Sequence, residues 1–149
     1  MKLLVINNLA SGFGEGSVYD FIRSFARDGD EVCVRSTDGT TDVRDLLGDA
    51  EAFDAVVASG GDGTVATVSY RLANTGVPIL PFPAGTANLL AANLASPMEP
   101  HALAKLVREE RTLDERARST NAARFSWVAI YMYEIPCLVI RAPCCTMPS

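Results

Sequence analysis

Over residues 2–113 the chain alternates short apolar runs with helical stripes. Leu3 to Ile6 is an apolar run closed by Asn7 and Asn8, the pattern of a buried strand. Val18, Phe21, Ile22, Phe25 and Ala26 then recur at helical spacing, and Gly29 stands where that helix should stop. Glu31 to Arg35 predicts a second strand, and Asp42 to Leu47 a short helix ended by Gly48. Ala55 to Ala58 predicts a third strand running straight into Gly60-Gly61-Asp62-Gly63-Thr64. Val65, Val68, Leu72 and Ala73 mark the face of the next helix, which Asn74-Thr75-Gly76 breaks. Val77 to Phe82 is a fourth strand, made irregular or an edge by Pro78 and Pro81. A helix rich in Ala and Leu follows from about Ala87 to Leu94. Pro100 suits the first turn of a last one, with Leu103, Leu106 and Val107 as its stripe.

Repeated strand–helix units predict an α/β fold, a mostly parallel sheet flanked by helices on both faces. Ligands of such sheets bind outside the carboxyl ends of the strands. The glycine-rich loops of this chain follow strands, so they belong at that edge.

Composition narrows the classes. The chain has 149 residues, 48% hydrophobic and 21% charged, the balance of a folded domain, and its net charge of -5 argues against a general nucleic-acid binder. No apolar run reaches the ~20 residues that span a bilayer, and Leu3 to Ile6 is too short for a signal peptide. The expectation is a cytoplasmic protein without a transmembrane segment. Cys33 stands alone; Cys137, Cys144 and Cys145 crowd the end without zinc spacing, so they read as free thiols and no metal ligands are assigned. All 11 glycines lie between Gly12 and Gly85. That asymmetry predicts two unlike parts.

Three loops carry candidate chemistry. In the first, Asn8 to Gly16, glycines let backbone N–H groups approach an anion at a helix start. It nearly fits the dinucleotide fingerprint, with Ser17 at the third small position and Asp38 as a candidate ribose-binding acid, and ordinary chain reversal is the plain alternative. In the second, Gly60 to Thr64, paired glycines permit phosphate contact. Asp62 can hold magnesium or orient a hydroxyl, and Thr64 can donate to a phosphate oxygen. The plain alternative is a tight turn capped by Asp62 or Thr64. In the third, Pro83 to Asn88, Thr86 serves either as a helix cap or as a phosphate contact.

Together these loops resemble the diacylglycerol kinase catalytic domain, shared by bacterial lipid kinases and sphingosine kinases and related to the NAD kinases. The family's Asn-Pro-x-Ser-Gly string is matched by Asn8, Ser11 and Gly12, with Leu9 in place of proline. Its Gly-Gly-Asp-Gly-Thr string is intact at Gly60 to Thr64, and its Pro-x-Gly-Thr-x-Asn string at Pro83 to Asn88. The third string favours the lipid kinases over the NAD kinases. The resemblance implies phosphoryl transfer from ATP, with Mg²⁺, to a lipid hydroxyl at the membrane surface, reached by transient peripheral contact. It implies that Asp62 organises the phosphates and metal. It also implies a nucleotide site built from Asn8, Ser11, Gly12, Thr37, Gly60, Gly61, Asp62, Gly63, Thr64, Val65, Ala66, Gly85, Thr86 and Asn88.

The pattern has departures. Leu89 stands where the family often has Asp, and Ala92 where an Arg is common. Residues 1–113 are expected to be the nucleotide-binding domain. Residues 114–149 form an atypical tail, in which the family's β-rich second domain is truncated or replaced, with a shift of reading frame as one origin. Glu134 there and His101 before it read as solvated surface residues. A lost second domain would expose apolar surface and favour a homodimer. Two other readings stay open: a non-catalytic ATP-binding fragment, and an NAD kinase-like or Rossmann-type dinucleotide binder.

Overall fold

The computed structural model describes residues 1–11, 15–93 and 96–119. Gly12 and the segment from residue 120 onward, with its cysteines and Glu134, lie outside the described residues. Four strands form: β1 (Lys2–Asn8), β2 (Glu31–Thr37), β3 (Ala55–Gly60) and β4 (Ile79–Pro83). Four helices accompany them: α1 (Glu15–Phe25), α2 (Asp62–Arg71), α3 (Leu89–Asn93) and α4 (Pro100–Ser119). The strands pair in parallel in the order β2-β1-β3-β4, the sheet that the alternating pattern predicts.

Alternation along each strand feeds two cores. Leu3, Val5, Val57, Leu80 and Phe82 face α1 and α4, where Val18, Phe21, Phe25, Leu103 and Ala104 cover them. Leu4, Ile6, Val56, Ala58 and Ile79 face the other way, beneath Val65 and Val68 of α2, Leu72 just after it, and Leu47. The near-continuous apolar runs of β1 and β3 follow from this, because a strand covered on both faces has no solvent side. Phe21 fixes the first layer, with its ring 5.8 Å from that of Phe25 and 5.6 Å from that of Phe82.

The amino edge of the sheet is tied by charge. The Asp30 carboxylate is buried; it accepts from the Met1 amine at 3.0 Å and the Arg27 N–H at 2.9 Å, and pairs with the Arg108 guanidinium. Those bonds, led by Arg108, hold its carboxyl well below the usual carboxylate range. Arg108 also donates to the Phe25 carbonyl and lies 4.1 Å over the Phe25 ring, which docks α4 on α1.

The short helix expected over residues 42–47 is present as a 3-10 helix, Val43–Leu47, with Asp42 accepting from the Arg44 N–H at 2.9 Å. Two details depart from the pattern reading. Ala73 is exposed in the turn after α2 rather than on its buried face. α3 begins at Leu89, two residues late, because Asn88 takes a left-handed φ of 46° that no helix can include. Among the described residues the fourth strand is an edge, one of the two outcomes its prolines predict. No helix among the described residues is long and apolar enough to cross a membrane. α4 runs unbroken past the boundary expected at residue 113.

Candidate functional site

The parallel register gathers the motif residues on one rim. Asn8 lies opposite Thr37, and Gly60 opposite Pro83, each at the carboxyl end of its strand. The first and second loops are joined by the Asn8 Nδ2, which donates to the Thr64 Oγ1 at 2.8 Å. The Asn8 Oδ1 accepts from the Ala10 N–H at 3.0 Å, and the Ser11 hydroxyl donates to the Asn8 carbonyl at 2.6 Å. The Asn8 amide therefore shapes its own loop and holds Thr64.

Glycine is required where the chains touch. A Cβ on Gly60 would sit 2.6 Å from the Thr64 Oγ1, and one on Gly85 would sit 2.7 Å from the Gly61 Cα. The second and third loops thus meet backbone to backbone. Asn88 closes the third loop: its Oδ1 accepts from the Gly85 N–H at 2.8 Å, and its Nδ2 donates to the Gly85 carbonyl at 2.6 Å. The Asp62 Oδ1 takes the Leu90 N–H of α3 at 3.4 Å, a second link between those loops.

The start of α2 adds donors at the same place. Gly61 caps α2 without a side-chain bond, and the Thr64 and Val65 N–H groups both turn back to the Gly61 carbonyl. Helix geometry leaves the N–H groups of Asp62 and Gly63 without an intrahelical acceptor, at the positive end of the helix dipole. An anion is the ligand such a rim suits. Asp62 is half-buried there, on the first turn of α2 rather than in a loop. Among the described residues no three His, Cys, Asp or Glu side chains cluster as a metal site. A divalent ion would therefore take Asp62 and ligand oxygens.

The remaining expected residues separate by role. The buried Thr37 hydroxyl donates to the Thr41 carbonyl at 2.9 Å and accepts from the Gly39 N–H at 3.1 Å, so it shapes the turn after β2. Val65 points into the core, whereas Gly63, Ala66 and Thr86 are exposed. Asn88 and Asn8 have their amide groups engaged by protein, which makes them positioning residues. Neither Asp62, Thr64 nor Thr86 caps its helix in the manner expected of a plain turn; Asp38 is turned onto Thr40. Pattern reading missed Asn7 and Ser59, buried one row below the rim, where the Ser59 hydroxyl donates to the Asn7 Oδ1 at 3.2 Å. The signal was the polar close of an apolar strand at Asn7. A separate groove of about 670 Å³ between α1 and α4, lined by Arg23, Arg27, His101 and Lys105, contains none of the motif residues.

The order of these loops along the chain is diagnostic, and residues 2–116 match the model of the diacylglycerol kinase catalytic domain. The chain belongs to the diacylglycerol kinase catalytic domain family. The parallel sheet flanked by helices is consistent with that family. A relative, the "Uncharacterized protein sll0036" of Synechocystis sp., is 45% identical over 51 residues, which are 34% of this chain and 12% of that protein. The chain thus spans only a small part of the length of that relative.

Proposed function

We propose that this chain is the nucleotide-binding part of an ATP-dependent lipid kinase, which transfers the γ-phosphoryl group of ATP to a lipid hydroxyl. The observation that carries the reading is the interlocked rim: Asn8 on Thr64 and Gly61 against Gly85 present the free N–H groups of α2 on one surface. Phosphoryl transfer asks for positioning and charge neutralisation more than for covalent help from the protein. The N–H groups of Asp62 and Gly63 bind phosphate oxygens, and Ser11 and Thr86 stand at the same rim to extend that contact. Asp62, together with ligand phosphate oxygens, would hold Mg²⁺, which would supply charge neutralisation there. The acceptor hydroxyl attacks the γ-phosphorus and ADP leaves; the lipid comes from a membrane surface by peripheral contact.

The test is transfer of labelled γ-phosphate to diacylglycerol in mixed micelles, alongside thermal shift with ATP–Mg²⁺ and with NAD. Asp62→Ala is expected to abolish transfer and leave the melting temperature nearly unchanged, because Asp62 makes one long bond to Leu90. Full activity in that variant removes Asp62 from the chemistry. A second reading, a non-catalytic ATP-binding fragment, is favoured by the lack of any acidic cluster around Asp62 among the described residues. ATP-dependent stabilisation without transfer selects it, and stabilisation by NAD alone selects a dinucleotide binder.

A further inference from the structure

The two edges of the sheet differ in what their outward backbone offers. In β2 the Glu31 N–H bonds the Met1 carbonyl, so Glu31, Cys33, Arg35 and Thr37 turn their peptide groups toward β1. Residues alternate along a strand, so Val32, Val34 and Ser36 turn theirs away from the sheet, where no other strand among the described residues pairs with them. In β4 the Pro78 carbonyl accepts from the Val56 N–H, which turns Ile79, Pro81 and Pro83 outward. Two of those three positions are prolines without an N–H. The β4 edge is guarded against strand addition, and the β2 edge is not.

We propose that β2 docks a second copy of this chain, pairing antiparallel with the same strand of its twin about a two-fold axis through Val34. The register is set by geometry. A two-fold axis at an outward-facing residue makes the central pair a hydrogen-bonded one, and an axis at the middle residue pairs the greatest length of strand. Val34 is both outward-facing and the middle residue of Glu31–Thr37, so this axis pairs the whole strand. Every outward N–H of one copy then meets an outward C=O of the other, and the four-stranded sheet becomes continuous with its twin. The side chains agree. Glu31 falls opposite Thr37, Val32 opposite Ser36 and Cys33 opposite Arg35, so no like charges oppose. Val34, which is 37% exposed, meets its own copy on the face that carries α1 and α4. A self-complementary patch of this kind is what closed two-fold symmetry requires. The inference does not depend on the nucleotide reading.

Sedimentation velocity on the full chain tests it. A concentration-dependent dimer is expected, and Val34→Lys, which sets like charges at the axis, should return it to monomer with an unchanged circular dichroism spectrum. A hydrogen-bonded antiparallel pair has its Cα atoms ~5.5 Å apart, within disulfide range. Val34→Cys in a Cys33→Ser background should therefore oxidise to a covalent dimer, with the bridge between the two introduced thiols mapped by mass spectrometry. That second variant decides the matter if Val34→Lys fails to fold. A monomer at every concentration, including one whose β2 edge is covered by its own residues 120–149, overturns the proposal. A dimer that survives Val34→Lys and forms no such bridge also overturns it.

Discussion

At the amino rim of the sheet, ionised groups hold the elements together, with Asp30 meeting the Met1 amine and Arg108, and Asp54 accepting from the Lys2 N–H at 2.7 Å. At the carboxyl rim neutral amides, hydroxyls and glycine contacts do the same work. The difference is one of remaining capacity. A buried carboxylate closed on its counter-ions has nothing left for a ligand. A rim closed by amides leaves the N–H groups of Asp62 and Gly63 without an intrahelical acceptor and the Asp62 carboxylate with one long bond to Leu90. Charge density alone would point to the amino rim, and to the groove between α1 and α4 as well.

The largest expected effect breaks the amino rim. Asp30→Asn leaves Arg108 buried with a weakened partner and should cost about 3–5 kcal/mol in chemical denaturation, the scale for opening a buried ion pair. Nucleotide-induced stabilisation, measured below the melting point, should persist. The same residue predicts acid sensitivity. Its carboxyl is held below the ordinary value of ~3.9, so the folded chain binds fewer protons than the unfolded one. Its contribution is full above about pH 4 and is lost as the pH falls from there toward the lowered folded value. A melting temperature of Asp30→Asn that falls as steeply with acid as the parent's would contradict this.

Smaller effects should appear at the carboxyl rim, where stability and ligand response part company. Gly85→Ala drives a methyl against the Gly61 backbone and should cost about 1–3 kcal/mol, with loss of ATP-dependent thermal shift as the two loops separate. Asn8→Ala frees Thr64 and should cost about 1 kcal/mol of stability. Its ATP shift should shrink by more than that change explains. If both variants lower stability yet keep the full ATP response, the interlock is merely structural and the contrast between the rims fails.

The fold was legible where one signal dominated. β3 and α2 announce themselves, since Val56 and Val57 run into glycines and Val65, Val68 and Leu72 share one face. Pro81 marked the edge strand. The start of α3 was not legible, because a long-range contact decides it: Gly85 must lie on Gly61, and Asn88 takes a left-handed turn to hold it there. The site shows the same division. Glycine spacing located the rim, but it could not say that Asn8, Thr37 and Asn88 bond protein, since their partners are chosen by packing. Asn7 and Ser59 lay beneath notice because neither belongs to a string with a spacing.

The strand order has a consequence for synthesis. β1 is made first yet lies between β2 and β3, so its second flank stays unpaired until residues 55–60 have left the ribosome. The Asn8–Thr64 bond spans 56 residues, and Gly61 cannot meet Gly85 before the fourth strand arrives. Parallel pairings of such separation form late, after long loops have closed. In a growing chain the carboxyl rim therefore closes before the amino rim, whose Asp30–Arg108 pair spans 78 residues and waits for α4. Until β3 arrives, the second flank of β1 is surface for a chaperone to cover.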